Sequence, residues 1–243
     1  MSKTKIEWTE VTWNPITGCT KVSEGCRHCY AETMSNRLKA MGTPKYTNGF
    51  RLSLHEEALC EPFQWKQPTT VFVCSMSDIF HENVPFSFID RIMNVIEQTP
   101  QHKYQILTKR VERMADYFSS KDIPPNIWTG VTVENADVKG RIDILRSIQS
   151  PLRFLSCEPL LGDLGILNLE KIGWVIVGGE SGVQARPMKK VWVENLWNQC
   201  QAKNVPFFFK QWGTWGEDGQ KRNKKENGNL LNGVIVQSIP NLD

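Results

Sequence analysis

Short apolar runs rich in β-branched and aromatic residues recur along the chain. They are Thr70-Val71-Phe72-Val73-Cys74, Tyr104-Gln105-Ile106-Leu107-Thr108, residues 127–133, Leu152-Arg153-Phe154-Leu155-Ser156, Trp174-Val175-Ile176-Val177-Gly178 and Pro206-Phe207-Phe208-Phe209-Lys210. Between them, residues 86–98, 110–119, 135–148 and 188–203 place apolar side chains three and four positions apart, the period of a helix with one buried face. In the last of these, Val191, Leu196 and Cys200 are joined by Trp192 and Trp197. Strand-like runs alternating with amphipathic stretches predict a parallel sheet covered by crossover helices. A further strand around residues 11–14 and a helix from Tyr30 to about Met41 complete the expectation. The predicted fold is α/β, a partial or open (β/α) barrel of about six to seven parallel strands.

Residues 42–69 contain Gly42, Pro44, Gly49, Pro62 and Pro68 and are long for a connection, so they are read as an insertion covering one end of the barrel. The expected division is a barrel over residues 1–213 and an extension over 214–243. In that extension a polar, mobile loop (216–228) precedes a hairpin-like run (230–236) that docks back on the body.

Composition narrows the setting more than the chemistry. A chain of 243 residues is long enough for one α/β barrel. No apolar run approaches the ~20 residues that span a bilayer, and the first ten residues lack the apolar centre of a signal peptide. No membrane partner and a cytoplasmic location are therefore expected. The net charge of +3 permits a nucleic-acid partner without arguing for one. Seven cysteines, an odd number, do not make a disulfide framework in a protein of this size. Cys60, Cys74, Cys157 and Cys200 are scattered, and the last three are read as small buried hydrophobes.

The other three cysteines lie in one stretch, Gly18-Cys19-Thr20-Lys21-Val22-Ser23-Glu24-Gly25-Cys26-Arg27-His28-Cys29-Tyr30. Three thiolates on a short loop can converge on one soft site, which selects zinc, copper(I) or an iron–sulfur cluster. A structural zinc wants a fourth ligand. His28 would complete a Cys3His set, but adjacent His28 and Cys29 on one ion is sterically awkward. Three ligands better suit a [4Fe–4S] cluster with one iron left open for a small molecule.

Polar residues gather where the expected strands end, which is where an α/β barrel builds its site. The runs are Ser75-Met76-Ser77-Asp78, Thr108-Lys109-Arg110, Thr132-Val133-Glu134-Asn135, Ser156-Cys157-Glu158-Pro159, Gly178-Gly179-Glu180-Ser181 and Lys210-Gln211-Trp212. Each has a plainer reading: helix caps for Asp78 and Glu134-Asn135, a solvated helix start for Lys109-Arg110, and a tight turn for the glycines. Gly178-Gly179-Glu180-Ser181-Gly182 has neither the order of a P-loop nor GxGxxG, so a nucleoside triphosphate site is not expected.

The cysteine loop resembles that of the radical SAM superfamily, with six residues in the first gap where the commonest motif there has three. The second half, Cys26-Arg27-His28-Cys29, has the ordinary CxΦC form, with His28 at the position that stacks beside the adenine. Together with Cys29-Tyr30-Ala31-Glu32, Cys157-Glu158-Pro159-Leu160-Leu161, Gly178-Gly179-Glu180-Ser181-Gly182 and Phe208-Phe209-Lys210-Gln211-Trp212-Gly213, it is similar to a phage-associated radical SAM family of unassigned activity. The similarity runs over about residues 8–213.

The resemblance implies a [4Fe–4S] cluster on Cys19, Cys26 and Cys29, with S-adenosylmethionine (SAM) on the open iron. It nominates Ser77 and Asp78 for the SAM amino group, Thr132 and Glu134 for the ribose, and Glu158, Gly178, Gly179 and Glu180 for the rest of the cofactor. The implied activity is one-electron cleavage of SAM to a 5′-deoxyadenosyl radical that abstracts hydrogen from a substrate, fed by an electron donor such as flavodoxin or ferredoxin. A nucleotide or nucleic-acid base is the expected substrate class, with Lys109, Arg110, Arg186 and Lys210 meeting phosphates and Trp212 or Trp215 stacking a base. Two readings compete: methyl or aminocarboxypropyl transfer, and a metal-stapled nucleic-acid-binding module without catalysis.

Overall fold

The computed structural model describes residues 4–241. The chain divides into two compact units: one runs up to Thr129 and includes Ile148–Pro151, and the other comprises Gly130–Ser147 and the chain from Leu152 onward.

The first unit contains β1 (Val11–Trp13), β2 (Ile16–Thr17), α1 (Tyr30–Ala40), β3 (Ser53–Leu54), β4 (Thr70–Val73), α2 (Phe86–Gln98), β5 (Lys103–Thr108) and α3 (Val111–Phe118). β4 lies between β1 and β5 and pairs parallel with both. Most of their residues are buried, as expected of parallel strands covered on both faces. Trp13 is fully buried, its indole N–H donating to the Ala58 carbonyl at 2.7 Å. Amphipathic α2 buries Phe88, Ile89, Ile92, Met93, Val95 and Ile96. Each such side chain contributes about 1.5–3 kcal/mol on burial.

The second unit receives the chain within β6 (Ile127–Thr132) and holds α4 (Gly140–Ser147), β7 (Leu152–Cys157), β8 (Trp174–Gly178), α5 (Lys190–Ala202), β9 (Phe207–Gln211), α6 (Lys224–Asn227), β10 (Leu230–Leu231) and β11 (Val234–Ile235). β7, β8 and β9 pair parallel in that order. The seven long-range strands form one sheet in the order β1-β4-β5-β6-β7-β8-β9. The expected fold class, α/β with parallel strands linked by helices, is the one observed.

Several local expectations are revised. Residues 135–148 are not one helix: Asn135 caps a 3₁₀ turn over Ala136–Val138, accepting from the Asp137 N–H at 3.1 Å, and α4 begins only afterwards. α5 buries Val193, Leu196 and Cys200, whereas Val191 is 52% exposed, because the stripe that faces the sheet starts two residues later than the apolar pattern suggested. The segment 42–69 supplies β3, which pairs antiparallel with β2, and a 3₁₀ stretch over Glu56–Gln64.

The polar stretch 216–228 folds into a turn and α6, tied by an Arg222–Asp218 ion pair at 2.6 Å. β10 and β11 form the expected hairpin, and the chain after it docks back on β9. The Phe209 N–H donates to the Val236 carbonyl at 2.7 Å and the Ser238 N–H to the Phe207 carbonyl at 3.0 Å. This covers backbone groups that an edge strand would leave open.

Candidate metal centre

The cysteine loop leaves β2 through Gly18. Its φ is +80°, and a Cβ built there would stand 2.2 Å from the Arg51 carbonyl oxygen, so only glycine lets the loop start this way. Its N–H donates to the Met76 carbonyl at 3.0 Å, and the Cys19 N–H donates to the Phe50 carbonyl at 3.2 Å. The loop is thus pinned between the segment after β4 and the segment before β3. Gly18→Ala is expected to lower stability by roughly 1–3 kcal/mol, the usual cost of overpacking. The urea midpoint checks this, and a variant as stable as the parent would contradict the close approach.

Cys19, Cys26 and Cys29 are all free and partly exposed. Cys29 precedes α1, whose first turn packs Ala31 with Tyr46 and Met76, and Cys29, Leu38 and Phe50 line the same cluster. Cys26 Sγ stands 3.9 Å from Ser23 Oγ. Cys19 is the most enclosed of the three in its polar contacts: its S–H donates to the Thr20 carbonyl, and Arg110 Nη1 donates to its sulfur, each at 3.4 Å. Burial, helped by the Asp78 carboxylate, pushes the Cys19 thiol up, and the Arg110 guanidinium opposes both. His28 is partly exposed on the same loop.

Behind the loop lies a network that no sequence pattern announced. Asp78 Oδ1 accepts from the Phe80 N–H at 3.0 Å and the Thr108 hydroxyl at 2.7 Å. Its Oδ2 accepts from the Lys109 N–H at 3.1 Å and Arg110 Nη1 at 3.2 Å. An ammonium at Asp78 would compete with these four donors. Arg110 stands at the N-terminus of α3 but is only 9% exposed, so it is not the solvated helix start that its position suggested. Its Nε donates to Glu82 Oε2 at 2.8 Å and its Nη2 to Thr20 Oγ1 at 2.8 Å.

The network also sets a tautomer. The Asn83 N–H donates to His81 Nδ1 at 3.1 Å, so the proton of the neutral ring is on Nε2, which donates to Thr20 Oγ1 at 3.0 Å. The Thr20 hydroxyl then gives its own proton to Glu82 Oε1 at 3.0 Å. Burial, with Arg110 close by, lowers the His81 pKa and keeps the ring neutral. Sequence reasoning missed Thr20, His81 and Glu82. The only clue was the polar pair His81-Glu82 directly after the Asp78 segment. Ser77 is committed to the backbone, its hydroxyl donating to the Ile16 carbonyl at 2.9 Å, and Lys109 is partly buried beside Asp78.

The second unit pairs its expected site residues internally. Glu134, fully buried, accepts from Arg141 Nη1 at 3.0 Å, and the same nitrogen donates to the Thr132 carbonyl at 2.8 Å. The helix-cap reading of Glu134-Asn135 holds at Asn135, which caps the 3₁₀ turn that follows. Glu158 Oε1 accepts from Lys210 Nζ at 2.6 Å. Glu180 takes a fork from Arg186, with Nε to Oε2 at 2.9 Å and Nη2 to Oε1 at 2.6 Å. Gly178 accepts the Leu160 N–H at 2.9 Å. At Gly179 a Cβ would meet the Trp212 carbonyl oxygen at 1.9 Å, so here the glycine serves close backbone packing. Trp212 is 1% exposed, edge-on to Phe209, and donates its indole N–H to the Leu230 carbonyl at 2.8 Å. Trp215 is partly exposed and donates to the Ala185 carbonyl at 2.6 Å.

The donor set fits an iron–sulfur cluster in its chemistry: three free thiols on one loop, two backbone anchors and a guanidinium donor at one sulfur. Among the described residues no three His, Cys, Asp or Glu side chains are grouped closely enough to hold a single metal ion. Of the remaining thiols, Cys60 is exposed and Cys74, Cys157 and Cys200 are buried. Burial pushes Cys74 and Cys200 up to about 12 and Cys157 up as well, which leaves them unreactive.

Comparison with known proteins adds the fold and a family. Residues 3–240 match a family described as "Protein of unknown function (DUF5131)". No curated protein matches. A solved structure of spore photoproduct lyase complexed with dinucleoside spore photoproduct is similar at 12% identity and a TM-score of 0.50, over 82% of this chain and 62% of that one. A variant of that enzyme with bound AdoMet and dinucleoside spore photoproduct aligns at 12% identity and a TM-score of 0.48, over 73% of this chain and 57% of that one. The chain thus spans about three-fifths of the length of the first structure, and the likeness is one of fold. Among the described residues no helix is long and apolar enough to cross a membrane.

Proposed function

For a chain that belongs to the DUF5131 family over residues 3–240, we propose a radical SAM enzyme whose [4Fe–4S] cluster is held by Cys19, Cys26 and Cys29. The observation that carries this reading is the loop itself: three free thiols pinned beside a buried guanidinium, on a parallel-strand α/β fold similar to that of spore photoproduct lyase. Held there, a reduced cluster would supply the one electron that cleaves the sulfonium–carbon bond of SAM into methionine and a 5′-deoxyadenosyl radical, which would take a hydrogen atom from the substrate. The electron would come from a flavodoxin or ferredoxin.

The protein's part is to hold and orient. Gly18 and the Phe50 carbonyl set the path of the loop, and Arg110 holds its first thiol. Asp78 acts through Arg110 and through the turn that starts α3.

The test is anaerobic reconstitution, reduction with dithionite and chromatography of the products of SAM. We expect 5′-deoxyadenosine and methionine in equal amounts. S-adenosylhomocysteine or methylthioadenosine in their place would point to methyl or aminocarboxypropyl transfer and against this chemistry.

A nucleotide or a base within nucleic acid is the substrate class we attach to this reading, in line with the dinucleoside held by the spore photoproduct lyase structure. Three of the four cations expected to meet phosphates are engaged in ion pairs, Arg110 with Asp78, Arg186 with Glu180 and Lys210 with Glu158. Contacts to phosphate would therefore be few. Affinity for a short single strand, measured with SAM present, is expected to fall roughly tenfold between about 50 and 200 mM salt, as for about two phosphate contacts. Salt-independent binding, or no binding to DNA, RNA or free nucleotides, would remove this substrate class and leave the SAM chemistry standing.

A further inference from the structure

We propose that Arg110 is a positioning residue that anchors the Cys19 arm of the loop and raises the reduction potential of the cluster bound there; the second half of this rests on the proposed function. The geometry is specific. Arg110 Nη1 donates to Cys19 Sγ at 3.4 Å, and Nη2 donates to the Thr20 carbonyl at 3.2 Å and the Thr20 hydroxyl at 2.8 Å. One guanidinium thereby grips two consecutive loop residues, while Glu82 on Nε and Asp78 on Nη1 fix its plane.

A buried arginine needs only its carboxylates for neutrality. Here a large share of its donors goes to the loop instead, and the Asp78 carboxylate is itself held by Thr108, Lys109 and Phe80. The network is braced from the sheet side, so a thiolate at Cys19 meets a donor already in place. Cluster potentials are set by net charge, burial and hydrogen bonds to the sulfurs. A desolvated cation that donates to a ligand sulfur stabilises the reduced cluster, which carries one more negative charge, and so moves the potential upward. At Cys26 the sulfur has the weaker neighbour, the Ser23 hydroxyl at 3.9 Å.

The experiment compares the full-length parent with Arg110→Gln, Arg110→Lys and Arg113→Gln. Arg113 is the control: from the same helix it donates to the His81 and Val84 carbonyls at 2.9 and 2.7 Å, away from the thiol. Two readouts are taken, amide hydrogen exchange of the Cys19–Thr20 peptide in the protein without iron, and the midpoint potential of the reconstituted protein by redox titration followed by electron paramagnetic resonance.

Arg110→Gln is expected to exchange faster at Cys19–Thr20 and to titrate at a more negative potential. Arg110→Lys, which keeps the charge but fewer donors, should fall between it and the parent, and it carries the test alone if the Gln variant does not fold. Arg113→Gln should leave both readouts at the parental value whatever it does to the melting temperature. Parental exchange and potential in both Arg110 variants would overturn the proposal, as would Arg113→Gln moving both readouts as far as Arg110→Gln. A parent that takes up no iron sinks the cluster reading, and the exchange rates still decide the anchoring.

Discussion

Replacing Cys19, Cys26 or Cys29 by Ala is expected to abolish iron uptake, while Cys60→Ala and Cys200→Ala retain about four irons per chain on anaerobic reconstitution. The contrast follows from the surroundings of each sulfur. The loop thiols are partly exposed and lie on one segment that backbone hydrogen bonds and Arg110 hold in place. Cys60 is exposed but stands apart, in the 3₁₀ stretch over Glu56–Gln64, and Cys200 is buried in α5. A cluster with three protein ligands that loses one is left with two open irons, and the expected result is loss of the cluster. Iron and sulfide analysis together with the brown absorbance of the reconstituted protein are the measurements. Stoichiometric zinc in protein purified without oxygen, with no iron uptake afterwards, would falsify the assignment for all three residues together.

The second large effect is on stability. Asp78→Ala is expected to lower the unfolding free energy by about 3 kcal/mol, the low end of the cost of leaving a buried charge without its partner. Asp78 and Arg110 are 6% and 9% exposed, so water replaces little of what is lost. The Phe80 and Lys109 N–H groups and the Thr108 hydroxyl lose an acceptor in the same step. Glu82, at 2.8 Å from Arg110 Nε, still balances part of the charge, which keeps the expected value at the lower end. Asp78→Asn should lose less, because one oxygen remains to accept from Phe80 and Thr108. Urea unfolding reads the difference as a shift of midpoint at constant slope. A loss below about 1 kcal/mol in Asp78→Ala would show that the network is rim electrostatics and not a brace.

The same substitution separates two roles for Asp78. Because Asp78 acts through Arg110, Asp78→Ala and Arg110→Lys are expected to weaken SAM binding together. A larger loss in Asp78→Ala would show instead that the carboxylate meets the SAM amino group directly.

The strands and most helices were legible in the linear pattern because their cause is local. A strand buried on both faces must be apolar nearly throughout, as Trp174–Gly178 is, and a helix on a sheet must repeat its apolar face every three or four residues, as α2 does over Phe86–Gln98. The cysteine loop was legible for the same reason, since three ligands on one short segment carry their chemistry in their spacing. The phase of α5 was less so. Trp192, Val191 and Val193 are all apolar, and which of them turns inward depends on the strand it packs against.

What the tertiary structure alone decided is how the polar residues at the strand ends are used. Asp78 is separated from Thr108 and Arg110 by some thirty residues of helix and strand, and Thr20 from Arg110 by ninety. No spacing rule connects such residues. They meet because parallel pairing of β4 with β5 brings the ends of both strands level, and because Gly18 bridges to Ser77 and turns the loop towards them. In the second unit the same physics pairs Glu134 with Arg141, Glu158 with Lys210 and Glu180 with Arg186. A carboxylate in a dry environment must find a cation or a set of donors, and in a folded chain the nearest one is set by topology and not by sequence distance.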